Sequence, residues 1–196
     1  ARTPMHVSMT VPTDDLVDQI GRFGAVVVHQ GHGDSLLDYG PEAWGHVVAE
    51  AVRALSASLV LACGTDRGNE VMAQVAARLD LPMVSNVVEF GDDLGQLVRV
   101  RWGGSLLERT AFDARTKLLT VSHHSFAADE SPVVATTQSL QVSVPAELAR
   151  TVVVERVERS AGVTLATAPV VVSGGRGVGS AEGFAPLEEL AGVLGG

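Results

Sequence analysis

Cysteine is nearly absent from this sequence of 196 residues, which contains only Cys63. A single cysteine cannot form a disulfide within the chain, and this favours a reducing compartment, so we predict a bacterial cytoplasmic protein. Apolar runs of the roughly 18 residues that a membrane-spanning helix needs are also missing. The sequence therefore predicts neither a disulfide scaffold nor insertion into a membrane.

Positive charge is scarce as well, since 14 lysines and arginines stand against 23 aspartates and glutamates. The formal net charge is -9, and Lys117 is the only lysine. Nucleic acids and anionic lipid surfaces are bound through basic faces, so we expect neither as a partner. Hydrophobic residues make up 46% of the chain, which is enough to bury a core and excludes a disordered chain.

Strand-like and helix-like segments alternate through the first part of the chain. Short apolar runs predict strands at residues 5–9, 25–28 and 58–63. Apolar residues at helical spacing predict helices at residues 13–23, 41–55 and 71–79. Between them, residues 29–40 and 64–68 have the glycine-rich, polar composition of a loop and a turn. This alternation indicates βαβ units, a parallel sheet and right-handed crossovers.

The pattern changes in the middle of the chain. Short extended segments predict an antiparallel meander added to the parallel core, at residues 83–90, 97–102, 106–112 and 117–122. Residues 127–139 are expected to be a loop, and valines between residues 142 and 157 indicate further strand. The predicted fold class is α/β, with three layers and a mainly parallel sheet that antiparallel strands extend. We place a boundary near Ala168, between a domain at residues 1–168 and a segment at residues 169–196.

The most informative segment is a glycine-rich turn. A buried strand is predicted at residues 169–173, and a helix from near Gly183 onward. Between them lie Gly174, Gly175 and Gly177. Glycine lets a ligand approach backbone amides closely, and the start of a helix carries partial positive charge. The guanidinium of Arg176 adds a fixed fork of donors for a phosphate or a flavin edge.

Two familiar phosphate-binding motifs do not fit this turn. The spacing from Gly174 to Gly179 is that of a P-loop, but Ser180 stands where a lysine is required. A dinucleotide fingerprint that begins at Gly175 also ends on Ser180 rather than on glycine. The pattern alone therefore leaves two interpretations open, a nucleotide-binding site and a tight structural turn.

At this turn the sequence resembles the electron transfer flavoprotein α subunits. That family has a strand, then S-G-G-R-G, a short spacer, E-N-F and a leucine-patterned helix. Here residues 173–177 read S-G-G-R-G and residues 182–184 read E-G-F. Supporting likenesses to family segments lie at residues 68–79, 98–104 and 119–126. The chain departs from the family at Gln74 and His123, where the family has arginine, and at Gly183, where it has asparagine.

The resemblance implies an α/β amino-terminal domain followed by the beginning of an FAD-binding domain, so we expect the chain to be a fragment that binds FAD poorly by itself. An α subunit pairs with a β subunit and carries electrons through FAD. Its donors are flavin dehydrogenases such as acyl-CoA dehydrogenases, and a membrane quinone oxidoreductase is a possible acceptor. The resemblance places Arg176 at the flavin, with Gly174, Gly175 and Gly177 shaping the turn. No catalytic acid, base or nucleophile carries over, because the chemistry belongs to the flavin.

A hydrolase or a metalloenzyme that uses the histidines is a weaker alternative. His29, His32 and Asp34 follow a strand end, but their spacing matches no standard metal site. His123 and His124 are adjacent on a strand, so they face opposite sides and cannot easily share one ion. We therefore predict no metal site, and we find no coherent catalytic triad.

Three further residues are interpreted as structural. Cys63 ends a predicted buried strand, where a small hydrophobic residue is expected. Trp44 and Trp102 are interpreted as core or interface residues. Trp102 alternates with arginines in the same register as Val98 and Val100, so these three should share a buried face. The main alternative function is a stand-alone nucleotide-binding α/β module without a redox role.

Overall fold

A computed structural model describes residues 5–9, 14–33, 36, 38–92, 94–155, 165 and 168–195. The chain divides into two compact units, Ala1–Val154 and Glu155–Gly196. The domain boundary expected near Ala168 stays a prediction, because residues 156–164 and 166–167 lie outside the described residues.

Alternating helices and strands build the first unit, as the sequence predicts. Its described residues contain the α-helices α1 (Asp14–Arg22), α2 (Pro41–Leu55) and α3 (Asp66–Leu79). Its strands are β1 (Met5–Met9), β2 (Ala25–His32), β3 (Leu59–Cys63), β4 (Met83–Phe90), β5 (Gln96–Arg101), β6 (Leu106–Ala111), β7 (Lys117–Val121) and β8 (Thr136–Gln141). Strand β2 runs on to His32, so the loop predicted at residues 29–40 begins later than expected.

The first sheet has three parallel strands in the order β1-β2-β8. Its central strand is β2, in which Ala25 and Val28 are fully buried. Strand β8 lies partly within the loop predicted at residues 127–139, so that prediction is wrong from Thr136 onward. Five of its six residues are exposed, and all five are polar, because β8 is at the edge of its sheet among the described strands. Apolar periodicity therefore does not reveal it.

The valines after β8 were expected to form further strand, and in the described residues they do not. Val142 and Val144 pack instead against the buried cluster that contains Val47 of α2. Residues 152–154 lie in no strand, and Val157 is outside the described residues. Val142 and Val144 are thus covered by packing against a helix rather than by strand pairing, whereas Val152, Val153 and Val154 stay exposed.

The second sheet has five strands in the order β3-β7-β4-β5-β6. Strands β4, β5 and β6 form the expected antiparallel meander, but β7 is not its fourth strand. It lies between β3 and β4 and runs parallel to both, with Leu119 beside Leu61 and Val84. The Lys117 N–H donates to the Ser58 carbonyl at 2.9 Å, which sets this register. The fold class is therefore α/β, with mostly parallel strands that antiparallel strands extend.

Strand β7 carries the apolar centre of the second sheet. Its neighbours Leu118 and Leu119 are fully buried on opposite faces, because side chains alternate along a strand. Leu118 packs against α2 and α3 in a cluster with Ala49, Met72 and Val75. Leu119 packs on the other face with Val84, Val87, Leu97 and Phe112. Complete burial of a side chain of this size contributes about 1.5–3 kcal/mol.

Helices α2 and α3 approach each other closely at a glycine. A Cβ atom on Gly45 would overlap the Cβ of Gln74, so a larger residue does not fit there without movement. Arg53 of α2 donates to the Arg78 carbonyl at 2.9 Å, and Arg78 donates to the Glu42 carbonyl at 3.3 Å. These contacts fix the two helices against one another.

Helix α3 begins at Asp66, inside the turn predicted at residues 64–68. The Thr65 hydroxyl accepts a hydrogen bond from the Gly68 N–H at 2.9 Å and so caps the first helical turn. The polar residues of that turn carry no apolar signal, which explains why helical spacing alone places the start too late.

Strand β3 is an edge strand rather than the buried strand that its apolar sequence predicts. It pairs with β7 on one side, and the described residues place no strand on its other side. Leu59, Leu61 and Cys63 are exposed, whereas Val60 and Ala62 pack against the core. Cys63 is therefore an exposed thiol and not the buried hydrophobic residue that we expected.

The two tryptophans occupy different environments. Trp44 packs against the cluster around Val47, and its indole N–H donates to the Asp38 carbonyl at 3.0 Å. Trp102 is 79% exposed, so its assignment to a buried face is wrong. It follows β5 with a φ of +53°, which turns the backbone out of the strand alternation. The buried residue of β5 is Leu97 instead.

Tyr39, the only tyrosine of the chain, joins the segment before α2 to α3. Its hydroxyl donates to Glu70 Oε2 at 2.5 Å, and the Arg67 guanidinium lies 4.7 Å from its ring centroid. Trp44 meets the ring edge-on, with the centroids 5.3 Å apart. Burial, and then the hydrogen bond to the Glu70 carboxylate, raises the pKa of Tyr39 to about 12.

An absorbance titration of tyrosinate should report this environment, because Tyr39 is the single phenol. We expect a pKa of about 12 rather than 10.0, measured by stopped-flow pH jump before the chain unfolds. Folding raises this pKa, so the stabilisation is complete below pH 10 and is lost as the pH rises towards 12. Glu70→Gln should lower the pKa, and Glu147→Gln should not. A wild-type titration midpoint near pH 10 would contradict the burial of the Tyr39 phenol and its hydrogen bond to Glu70.

Candidate functional site

The glycine-rich turn lies in the second unit and leads into α4 (Ala185–Leu194). It contains two short 3-10 turns, Arg176–Val178 and Glu182–Phe184. The Val178 N–H donates to the Gly175 carbonyl at 3.1 Å, which closes the first of them. Gly179 follows with a φ of +75°, a conformation that favours glycine. The backbone therefore reverses direction between Gly175 and Gly179.

The strand predicted before the turn is not formed. Residues 169–173 have no strand beside them among the described residues, so their backbone groups make no ladder of hydrogen bonds. Val171 is 50% exposed, so the segment is not the buried strand that we expected. The helix begins as predicted, with Pro186 in its first turn, where a backbone N–H is not required.

The three candidate glycines differ in their surroundings. A Cβ atom on Gly174 would lie 2.5 Å from Val178 Cγ2 and 2.7 Å from Leu187 Cδ1. Gly174 therefore allows the turn to pack directly against α4. Gly175 and Gly177 have nothing within 4 Å of such an atom and leave open space on the surface. The first glycine has a packing role, and the other two leave the backbone accessible.

Arg176 is exposed at the tip of the turn. Among the residues that the structure describes, its guanidinium has no hydrogen-bond or ion-pair partner. Guanidinium presents five N–H donors in a planar fork that fits two oxygen atoms of a planar or anionic group. Arg176 thus supplies free donors beside the open backbone of Gly175 and Gly177.

Ser180, which stands in the position of the P-loop lysine, stabilises the start of the helical segment. Its hydroxyl accepts a hydrogen bond from the Gly183 N–H at 3.3 Å. The backbone N–H of Glu182, and then the Ser180 hydroxyl, hold the pKa of the Glu182 carboxyl below its usual value. This stabilisation is present at neutral pH and is lost as the pH falls through the lowered pKa. The sequence analysis does not predict this contact, because Gly183 stands where a capping box would have glutamate or glutamine.

The histidines do not assemble a site in the part of the chain that is described. There, no group of three or more His, Cys, Asp or Glu side chains has the arrangement to hold a metal ion. His29 is buried in β2 with 5% exposure, whereas His32 is exposed. Asp34 lies outside the described residues. The rings of His123 and His124 are 6.3 Å apart, and both are exposed.

The geometry thus comprises an α/β unit and, in the second unit, an open glycine turn that carries an exposed arginine. The sequence profile of the family described as "Electron transfer flavoprotein domain" matches residues 7–162. The chain therefore belongs to the electron transfer flavoprotein domain family.

Several curated relatives are electron transfer flavoprotein α subunits. The α subunit of Bacillus subtilis is 28% identical over 183 residues, which are 92% of this chain and 56% of the relative. That of Mycobacterium leprae is 30% identical, over 92% of this chain and 57% of the relative. That of Mycobacterium tuberculosis is 30% identical over 98% of this chain and 61% of the relative. The chain thus spans little more than half the length of these relatives.

Among the described residues, no helix combines the length and the apolar composition needed to cross a bilayer.

Gly174→Ala is expected to disturb the turn, because the new methyl group would crowd Val178 and Leu187. Overpacking of this kind costs about 1–3 kcal/mol. Hydrogen-exchange mass spectrometry should show faster amide exchange across residues 176–194 in this variant. Gly175→Ala is the matched control, since its methyl group meets open space. Equal exchange in the two variants would contradict the packing role of Gly174.

Proposed function

We propose that this chain belongs to the α subunit of an electron transfer flavoprotein that acts in the cytoplasm. In an αβ heterodimer with a β subunit, it carries electrons from flavin dehydrogenases, such as acyl-CoA dehydrogenases, to an acceptor such as a membrane quinone oxidoreductase. FAD is the cofactor, and the subunit is a carrier rather than an enzyme with its own acid, base or nucleophile. The free guanidinium of Arg176 on an open turn is the observation on which the proposal rests.

The residues of the turn fit a flavin cofactor. Arg176 offers donors that no described residue uses, and Gly175 and Gly177 leave room for a large planar or phosphorylated group. When bound, FAD accepts and releases electrons. Arg176 would bind and orient an oxygen-bearing edge or phosphate of the cofactor. Gly174 would keep the backbone of the turn packed against α4.

The comparisons support this assignment at two levels. The family match covers most of the first unit. The alignment with the Mycobacterium tuberculosis α subunit spans 98% of the chain, so it includes residues 174–177. A domain boundary near Ala168, with the FAD-binding domain beginning at residue 169, is part of the proposal.

The first unit also has surface that a partner subunit would cover. Leu61 of β3 and Leu107 of β6 are 51% and 70% exposed. β3 and β6 are the two outer strands of the second sheet among the described residues, and apolar side chains on unpaired edges favour association with another chain. We assign the β subunit as the partner for such surface.

Native mass spectrometry of the protein purified from its source organism tests the proposal. We expect this chain to occur with one flavin and with a second, different subunit. A bare chain without flavin and without a partner would overturn the proposal. It would favour a stand-alone nucleotide-binding α/β module instead, and titration with nucleotides would then identify its ligand.

Arg176→Gln should weaken flavin binding in the purified complex. A hydrogen bond to a charged group contributes about 1.5–3 kcal/mol, which corresponds to a loss of at least about tenfold in affinity. The measurements are flavin retention during desalting and the midpoint potential of the bound flavin. Arg150→Gln is the control, because Arg150 is also exposed. Unchanged affinity and potential in Arg176→Gln would remove Arg176 from the site.

A further inference from the structure

Tyr39 and Trp44 form an aromatic pair in the first unit, outside the residues that the proposed function uses. Their ring centroids are 5.3 Å apart, and the rings meet edge-on at an interplanar angle of 79°. Among aromatic side chains, those of tryptophan and tyrosine lose one electron most readily. Electronic coupling falls steeply with distance, so two such rings in contact exchange an electron easily. The pair therefore has the geometry of a two-step path for an oxidising equivalent.

The Tyr39 hydroxyl has a proton acceptor in place. It donates a hydrogen bond to Glu70 Oε2 at 2.5 Å. This length is typical of a hydrogen bond from a hydroxyl to a carboxylate, for which the range is about 2.5–2.7 Å. A phenol that loses one electron becomes a strong acid, so its oxidation requires a base that takes the proton. Glu70 is that base, and the hydrogen bond is the path along which the proton moves.

A positive charge beside the Tyr39 ring couples the two transfers. The Arg67 guanidinium carbon lies 4.7 Å from the ring centroid. It stabilises the electron-rich ring of a phenol and opposes a radical cation at the same place. The pKa of Tyr39 is raised to about 12, so the phenol carries its proton at neutral pH. Oxidation at neutral pH therefore yields a neutral tyrosyl radical, and the proton leaves together with the electron.

Trp44, in contrast, keeps its proton when it is oxidised. Its indole N–H donates to the Asp38 carbonyl at 3.0 Å, and a backbone carbonyl is too weak a base to take that proton. The ring also packs against the apolar cluster around Val47 of α2, which keeps water from part of its surface. An oxidising equivalent on Trp44 thus stays there as a radical cation until Tyr39 supplies an electron.

We propose that Trp44, Tyr39 and Glu70 form a radical relay that discharges strong one-electron oxidants such as the hydroxyl radical. The oxidant takes one electron from the Trp44 indole. The resulting radical cation takes one electron from Tyr39, while the Tyr39 hydroxyl proton moves to Glu70 Oε2. The products are neutral Trp44, a neutral tyrosyl radical and a protonated Glu70 carboxyl.

The relay returns to its starting state through a soluble reductant. Tyr39 is partly exposed and Glu70 is exposed, so a small thiol reaches the tyrosyl radical. A thiolate gives one electron to the radical and becomes a thiyl radical, and the proton returns from Glu70 to the phenol oxygen. An oxidising equivalent thereby leaves the wall of the apolar cluster. No flavin takes part, so the relay is independent of the proposed function.

Flash photolysis of the 196-residue chain tests the relay, with photogenerated tris(bipyridine)ruthenium(III) as the one-electron oxidant. Tyr39 is the only tyrosine, and the Trp102→Phe variant leaves Trp44 as the only tryptophan. In this variant we expect the tryptophan radical to decay with the rate constant at which the tyrosyl radical appears. When Tyr39→Phe is added, the tyrosyl signal should be lost and the tryptophan radical should persist.

Variants at the carboxylate test the proton transfer. Glu70→Gln should slow the formation of the tyrosyl radical at least about tenfold, because an amide cannot take the proton as a carboxylate does. Glu147→Gln is the matched control, since Glu147 is not among the groups that act on Tyr39. With Glu70 present, the transfer should be slower in D₂O than in H₂O. Circular dichroism should show that all variants fold alike.

Three outcomes would overturn the proposal. They are decay of the Trp44 radical without a tyrosyl signal, equal rates of tyrosyl formation in Glu70→Gln and Glu147→Gln, and an unchanged tyrosyl yield when Trp44→Phe is added to Trp102→Phe. The first would make the aromatic pair a packing contact only. The second would make water the proton acceptor, and the third would show that the oxidant reaches Tyr39 directly. None of them changes the flavin test of Arg176, because the relay is measured without flavin.

Discussion

The packing of helix α2 is the constraint on which the first unit depends. On one side, Val47 packs with residues that follow β2 and β8. On another, Ala49 packs against α3 and β7. Small residues line the contact, since Gly45 meets Gln74 closely and Ala49 is fully buried. One helix thereby fixes the positions of the two sheets.

Local patterns predict most elements of this chain, but not which strands become neighbours. Apolar spacing gives the bounds of α2 and β4, and a polar edge strand such as β8 gives no apolar signal. The position of β7 between β3 and β4 depends on pairing with strands that are distant in the sequence. The periodicity of residues within β7 does not indicate which strands those are. The same dependence on distant pairing explains why Cys63 is exposed although its strand is apolar. The local sequence of an apolar strand predicts burial whether the strand is at the centre of a sheet or at its edge.

The candidate flavin turn and the hydrogen bonds around Asn86 of β4 differ in how far the sequence reveals them. Residues 173–177 carry a motif that a family resemblance detects, and the structure adds the open surroundings of Gly175 and Gly177. Asn86 belongs to no motif. It is positioned by a bulge in β4 and by hydrogen bonds with Asn69 and Thr120, which are distant in the sequence. Networks of this kind are found only when the three-dimensional structure brings their members together.

The position of β7 has a consequence for biosynthesis. A ribosome delivers β3 well before β7, and in the described part of the chain β7 is the strand that pairs with β3. Until Val121 has left the exit tunnel, Val60 and Ala62, the residues of β3 that pack against the core, cannot join a completed sheet. The nascent chain therefore exposes an apolar strand for the time needed to translate the whole β4-β5-β6 meander. Exposure of this kind makes a nascent domain dependent on chaperones or on rapid late closure.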